Sequence, residues 1–182
     1  MFKSTVTLVA LLLSATILFA QKGVQFPEMP CESLDNQTVV IPTDTKDKLT
    51  IVGMAYSKKA ESALKSWYTP MYDKFILKRG IFDAMYDVNF FFVPMYTGTK
   101  KMAFEISMKK MRESNRKDLY PYLLFYKGGL EPYVEVLNMK EKNLPYLFVI
   151  DQEGKVVYYA KGLYTEKKME DLEEVLDSFI ED

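Results

Sequence analysis

The chain contains no histidine and one cysteine, Cys31. Without an imidazole there is no Ser-His-Asp or Cys-His relay, and the commonest zinc ligand is missing too. A single thiol cannot close an intramolecular disulfide. No basic side chain flanks Cys31 to draw off its proton, so it reads as a small apolar filler or a free thiol. The chemistry left to the chain belongs to carboxylates, hydroxyls and ammonium groups. Glu61 and Ser62 stand at the expected start of a helix. An acid there interacts favourably with the helix dipole, and the free amides of a helix start also favour an anion. Asp151 and Glu153 lie in a tight turn, where two oxygens fall short of the six to eight ligands of a calcium site. No phosphate loop, glycine-rich cofactor turn or nucleophile elbow is present, so neither a cofactor nor a metal is expected.

The charges nearly balance, with 24 Lys and Arg against 25 Asp and Glu. Nucleic acid needs a clustered basic surface, so it is not an expected partner. The nearest approach to one is Lys100, Lys101, Lys109, Lys110, Arg112, Arg116 and Lys117, which a solvated helix face explains equally well. Trp67, the only tryptophan, falls on an apolar stripe and reads as core. Tyr120, Tyr122, Tyr126 and Tyr133 crowd one segment. They either pack under a loop or form an exposed patch for a partner, and both readings stand at this point.

The elements that position these residues follow an N-terminal export signal. Lys3 is the only charge before an apolar stretch over residues 6–19, and Ala20 precedes a polar restart at Gln21. These are the parts of a cleaved secretory signal. The uncharged run is slightly short of the ~20 residues of a spanning helix. Residues 1–20 are therefore expected to leave, with no membrane span remaining. An irregular arm over residues 21–32 and one domain over residues 33–182 would follow, long enough to bury a substantial core. With no disulfide, packing alone must hold that core, and 12 Phe, 13 Tyr and 11 Met supply it.

Asp35 and Asn36 precede a β-branched run, predicting a small hairpin over residues 33–42. Residues 49–56 are continuously apolar, as in a strand buried on both faces. Ala60, Ala63, Leu64, Trp67, Met71 and Phe75 then draw one helical stripe over residues 58–78. Pro70 should kink that helix and Gly80 end it. A strand over 88–96 follows, and Met102, Ile106, Met108 and Met111 mark a less regular helix. Residues 119–126 suit a strand or a helical turn. Residues 144–150 and 155–160 form a hairpin around the turn at 151–154, and Thr165 caps a last helix bearing Met169, Leu172, Leu176, Phe179 and Ile180. This order implies an α/β fold, a mixed β-sheet with helices on both faces.

The order resembles the thioredoxin superfamily over most of the mature chain. The hairpin, the buried strand, the kinked helix and Leu144-Pro145 before a strand carry the likeness. So does Phe148-Val149-Ile150-Asp151-Gln152-Glu153-Gly154-Lys155-Val156-Val157, which is similar to the strand–turn–strand of TlpA-like thioredoxins and peroxiredoxins. The resemblance implies a thioredoxin-like sheet and a cis bond at Leu144-Pro145. It also aligns the redox Cys-x-x-Cys turn with Lys59-Ala60-Glu61-Ser62, where neither thiol position holds sulfur. Thiol–disulfide exchange needs an attacking thiolate and a resolving partner, so no redox or peroxidase activity is implied. Ser66-Trp67-Tyr68-Thr69-Pro70, with Asp151, Gly154, Lys155, Val156, Tyr159, Ala160, Gly162 and Glu166, resembles the ATP10-type ATP-synthase assembly factors. Those share the body without the cysteine pair, but Tyr158 replaces the Arg that family places before its aromatic.

The functional expectation is an exported, periplasmic or extracellular, redox-inactive module that binds a protein or peptide of the cell envelope or aids assembly. Its site would comprise Lys59, Ala60, Glu61, Ser62, Leu144 and Pro145, with Lys59 and Ala60 facing a groove beside Pro145. The alternative is an enzyme that uses the same pocket without thiols, through Glu61 or Tyr56.

Overall fold

A computed structural model describes residues 22–114 and 117–180. Residues 1–20, expected to be a signal segment, and Arg116 lie outside the described residues. Seven strands form one sheet in the order β2-β1-β5-β4-β3-β6-β7. They are β1 (Met29–Ser33), β2 (Thr38–Ile41), β3 (Thr50–Ala55), β4 (Asn89–Thr97), β5 (Leu124–Gly128), β6 (Tyr146–Ile150) and β7 (Val156–Lys161). β3, β4 and β5 run parallel, and the remaining pairings are antiparallel. The sheet is mixed, as the element order implies.

The hairpin forms at the expected turn. Asn36 takes φ 60°, and Ser33 Oγ accepts the Gln37 N–H at 3.1 Å. The arm differs from expectation, because residues 29–33 are a strand despite Pro30. Pairing of β1 with β5 starts only at Cys31↔Tyr126, so the donor that Pro30 lacks is not needed on that side. Residues ahead of it are docked as well. Phe26 N–H donates to Gly154 O at 2.8 Å, and Val156 N–H to Val24 O at 2.9 Å.

After β3 the chain makes one long, uneven helix. α1 (Lys58–Leu64) tightens to a 3₁₀ turn at Lys65–Trp67, resumes as α2 (Tyr68–Met71) and widens to a π turn at Tyr72–Ile76. Its start is fixed by Ser57, whose Oγ accepts the Ala60 N–H at 3.0 Å. Pro70 has no N–H, and its ring crowds the carbonyl four residues back. The tight turn before it and the wide turn after it absorb that defect. The helix gives out at Lys78 (φ 49°), ahead of Gly80, whose N–H is instead held by Asp83. Gly53 lets this helix approach β3 closely, since a Cβ there would lie 3.1 Å from Leu64 Cδ1 and 2.9 Å from Phe92 Cδ1.

α3 (Phe104–Arg112) follows a 3₁₀ turn at Gly98–Ala103. Of the residues expected to mark it, Met108 is buried, but Met102 and Ile106 are 86% and 70% exposed, and Phe104 completes the buried side. Phe104 takes the inward place through edge-on contacts with Tyr96 and Phe125. The segment read two ways contains both forms: a 3₁₀ turn at Lys117–Tyr122, then β5, then α4 (Glu131–Val136). Its tyrosines settle inward. Tyr126 and Tyr133 are buried, and Tyr120 Oη donates to Arg112 O at 2.6 Å. α5 (Glu166–Asp177) starts at Thr165, whose Oγ1 accepts the Lys168 N–H.

The sheet separates two cores. α1, α2, α3 and α5 pack on one face through Ala60, Leu64, Trp67, Met71, Phe104 and Leu172, among others. The arm and α4 cover the other, through Phe26, Met29, Cys31, Tyr133 and Phe148.

Candidate functional site

Met54 pairs with Tyr146 at the antiparallel β3–β6 contact. The end of β3, the start of α1 and the Leu144-Pro145 approach to β6 therefore share one end of the sheet. Trp67 Nε1–H donates to Gly162 O at 3.0 Å, and Gly162 N–H donates to Pro145 O at 2.9 Å. These two bonds tie the helix to the loop before β6. The tryptophan is core, as read, with its only polar atom satisfied.

The expected site residues are brought to one end, but not onto one surface. Lys59 and Ser62 are exposed, Glu61 and Leu144 are half-buried, and Pro145 is buried. Ala60 is 0% exposed. It heads the apolar stripe and packs beneath the helix, so it cannot face a groove. Among the described residues the cis bond is Ile41-Pro42, and Leu144-Pro145 is not cis, contrary to the resemblance. The turn closed by Leu144 N–H on Glu141 O delivers the chain into β6 without it.

Cys31 lies in β1 between β2 and β5, in the core opposite the one that holds Ala60. Burial pushes its thiol up to about 12, so the thiolate needed for exchange is withheld at neutral pH. The sheet stands between this sulfur and residues 59–62.

The open part of the site lies on the β4–β5 side of the β3–α1 junction. A cavity of about 270 Å³ is bounded by Tyr68, Pro94, Tyr96, Met111, Leu123 and Phe125, with Glu61, Ser107, Lys110 and Ser114 as its polar lining. The Glu61 carboxyl makes no hydrogen bond or ion pair among the described residues, although its main chain is bonded within the helix. Burial pushes its carboxyl above the usual carboxylate range, while Lys100, Lys65 and Lys58 pull the other way. Burial takes the Tyr68 hydroxyl up to about 12. It also raises Tyr96, against a hydrogen bond with Ser107. Lys100 folds back over the junction, its Nζ donating to Tyr56 O at 2.8 Å. Tyr56 is otherwise occupied, since its hydroxyl donates to Met139 O at 2.7 Å.

Sequence reasoning found Glu61 but missed Ser57, Tyr68, Tyr96 and Ser107, and it read Lys100 and Lys110 only as a solvated face. The available signal was position. Tyr96 lies near the C-terminal end of a parallel strand that leads to a helix, and ligand crevices of α/β sheets open at the C-terminal ends of such strands. Among the described residues no cluster suits a metal ion, and no helix is long and apolar enough to cross a membrane.

Comparisons with known proteins agree with this architecture. BsSco, a member of the Sco family of cytochrome c oxidase assembly proteins, superposes with a TM-score of 0.58 at 11% identity, covering 84% of this chain and 92% of its own. The pneumococcal exposed lipoprotein thioredoxin of Streptococcus pneumoniae gives 0.53 at 16% identity, over 83% and 99% of the two chains. The thio-disulfide isomerase of Thermus thermophilus gives 0.52 at 16%, over 85% and 96%. At such identities the likeness is one of fold, and the fold is thioredoxin-like. No curated protein matches the sequence. The family model of the ATP10 protein matches residues 11–179. With the Cys-x-x-Cys pair absent and the thioredoxin-like sheet in place, the chain belongs to the ATP10 protein family.

Proposed function

We propose that this is a redox-inactive assembly-accessory protein that is exported, loses residues 1–20, and binds a protein or peptide of the cell envelope. The observation that carries the reading is the exchange at the start of α1. On the alignment that the thioredoxin resemblance implies, Lys59 and Ser62 fall at the thiol positions, while the chain's one sulfhydryl is buried on the far side of the sheet. Membership of the ATP10 family supports an accessory role, and so does the fold shared with BsSco, itself a member of an assembly-protein family. The exposed surface offered to a partner is Lys59, Ser62 and the rim beside Leu144.

One observation favours the second reading, an enzyme without thiols: the raised carboxyl of Glu61 in a cavity. The cavity offers the hydroxyls of Ser107 and Ser114 but no imidazole or thiol to make a strong nucleophile, which keeps binding ahead.

The test is recovery of partners from an envelope extract by the mature protein, compared with the Lys59→Glu, Ser62→Arg double variant. Both positions are exposed, so the thermal midpoint should hold while recovery of a specific partner falls. Equal recovery by both proteins would remove the site from this end of the sheet. Insulin reduction or peroxide turnover above the no-protein blank, abolished by Cys31→Ala, would overturn the redox-inactive reading.

A further inference from the structure

We propose that the cavity beside α1 receives one aromatic side chain with an uncharged hydrogen-bond donor at its tip, a tyrosine or tryptophan of the bound polypeptide. The inference rests on the polypeptide-binding reading and names what that site recognises. Size comes first. At about 270 Å³ the space falls below the roughly 300–1,000 Å³ of pockets for drug-sized ligands, and suits a single side chain better than a cofactor.

Lining comes second. Tyr68, Tyr96 and Phe125 present rings and Met111 a thioether, surfaces on which an aromatic guest packs edge-on or offset. Tyr96 and Phe125 already lie nearly parallel, 6.2 Å between centroids.

The polar group decides the rest. Glu61 is a half-buried acceptor that no donor among the described residues satisfies, and an unmade bond at a desolvated carboxylate is costly. A guest that donates to it gains, and a hydrocarbon guest that seals it from water loses. A cationic guest is opposed by Lys110 in the wall and by Lys58, Lys65 and Lys100, all of which act on Glu61. An anionic guest is opposed by Glu61 itself. The uncharged donor on an aromatic body is what remains.

The experiment titrates the mature protein with p-cresol, toluene, 4-methylbenzylamine and p-toluate, followed by NMR. p-Cresol should give saturable shifts at Tyr68, Tyr96 and Met111. It should bind at least about tenfold more tightly than toluene, the scale of one hydrogen bond to a charged group. In Glu61→Leu that preference should collapse to within about twofold, with the spectrum remaining dispersed. Tighter binding of the amine or of the acid than of cresol, equal binding of cresol and toluene by the native protein, or shifts away from the cavity would each overturn the proposal. The native protein alone decides the cresol-to-toluene ratio, whatever the variant does to folding. Because the titration uses no partner, its failure removes the cavity assignment alone, and the polypeptide-binding reading still stands or falls on partner recovery.

Discussion

Two carboxylates at opposite ends of the sheet show how one fold separates structural charge from available charge. Asp83 accepts the Gly80 N–H at 2.6 Å and the Lys74 ammonium at 3.0 Å. Lys74 also reaches Glu173 at 3.0 Å and lies over the Tyr86 ring, while the Tyr86 hydroxyl donates to Asp177. Each of these charges has a partner. Burial on its own would raise Asp83, but the Gly80 amide and Lys74 outweigh it and hold the carboxyl below its usual range. Glu61 is also taken partly out of water, yet lysines act on it only through space and its carboxyl is raised. A desolvated acid with its bonds made stabilises the fold, and one with its bonds unmade is held ready for something else.

The largest expected effect is at the paired end. Asp83→Ala should cost about 2 kcal/mol, read as a lower urea midpoint at constant slope with Trp67 fluorescence. Breaking a buried ion pair costs roughly 3–5 kcal/mol, and the partial exposure of Lys74 with its second partner Glu173 brings that down. Because the folded carboxyl is held below its unfolded value of 3.8, its contribution is present above that pH and lost as pH falls through the folded value. The gap between native protein and variant should therefore narrow only below pH 3.8. A gap that closed near neutrality would place the energy elsewhere.

Gly80→Ala tests the same contact from the backbone side. A Cβ at residue 80 would sit 2.7 Å from either oxygen of Asp83, so it must push the carboxylate off the amide. A loss of about 1 kcal/mol is expected, the net scale of one such hydrogen bond. In the Asp83→Ala background that loss should vanish, and additive losses would contradict the contact.

How far this contrast could be read in advance depends on whether the signal was local. The stripe Ala60, Leu64, Trp67, Met71 and Phe75, the Asp35-Asn36 turn and the Thr165 cap are set by spacing within a few residues, and each formed. The inward turn of Phe104 in place of Met102 was not legible, because Tyr96 and Phe125 reach it from two strands, β4 and β5. The site was half legible. Glu61 was visible at the helix start, but the cavity depends on β4 and α3 meeting it through the parallel register. Ala60 turns inward for a local reason, since the stripe that makes the helix fold is the face that docks. Asp83 passed unnoticed, because nothing in residues 78–87 announces that Lys74 reaches both it and Glu173.

At the open end the effects are smaller and opposite in sign. Glu61→Gln should change stability by no more than about 0.5 kcal/mol, and upward at neutral pH. A raised folded pKa means that the fold prefers the protonated acid. Relative to its ionised form, the stability this group adds is present below 4.5 and lost as pH rises through the folded value. Native protein and variant should therefore converge in acid and separate at pH 7, the reverse of the Asp83 pattern.

The smallest effect isolates what keeps Glu61 from rising further. Burial is the larger influence on it, and Lys100 is the strongest of the lysines that oppose burial. Lys100→Met keeps a long apolar stem over the β3–α1 junction but removes the charge and its bond to Tyr56 O. The Glu61 titration, followed through its side-chain carboxyl carbon by NMR, should move upward, and Asp83 at the other end should titrate as before. The shift should shrink in added salt, since part of the field crosses solvent. An Asp83 titration that moved with Glu61 would mean that the substitution had altered the fold as a whole. A Glu61 titration that stayed in place would mean that Lys100 serves only to close the Tyr56 carbonyl, and the open carboxylate would then owe its state to burial and the remaining lysines.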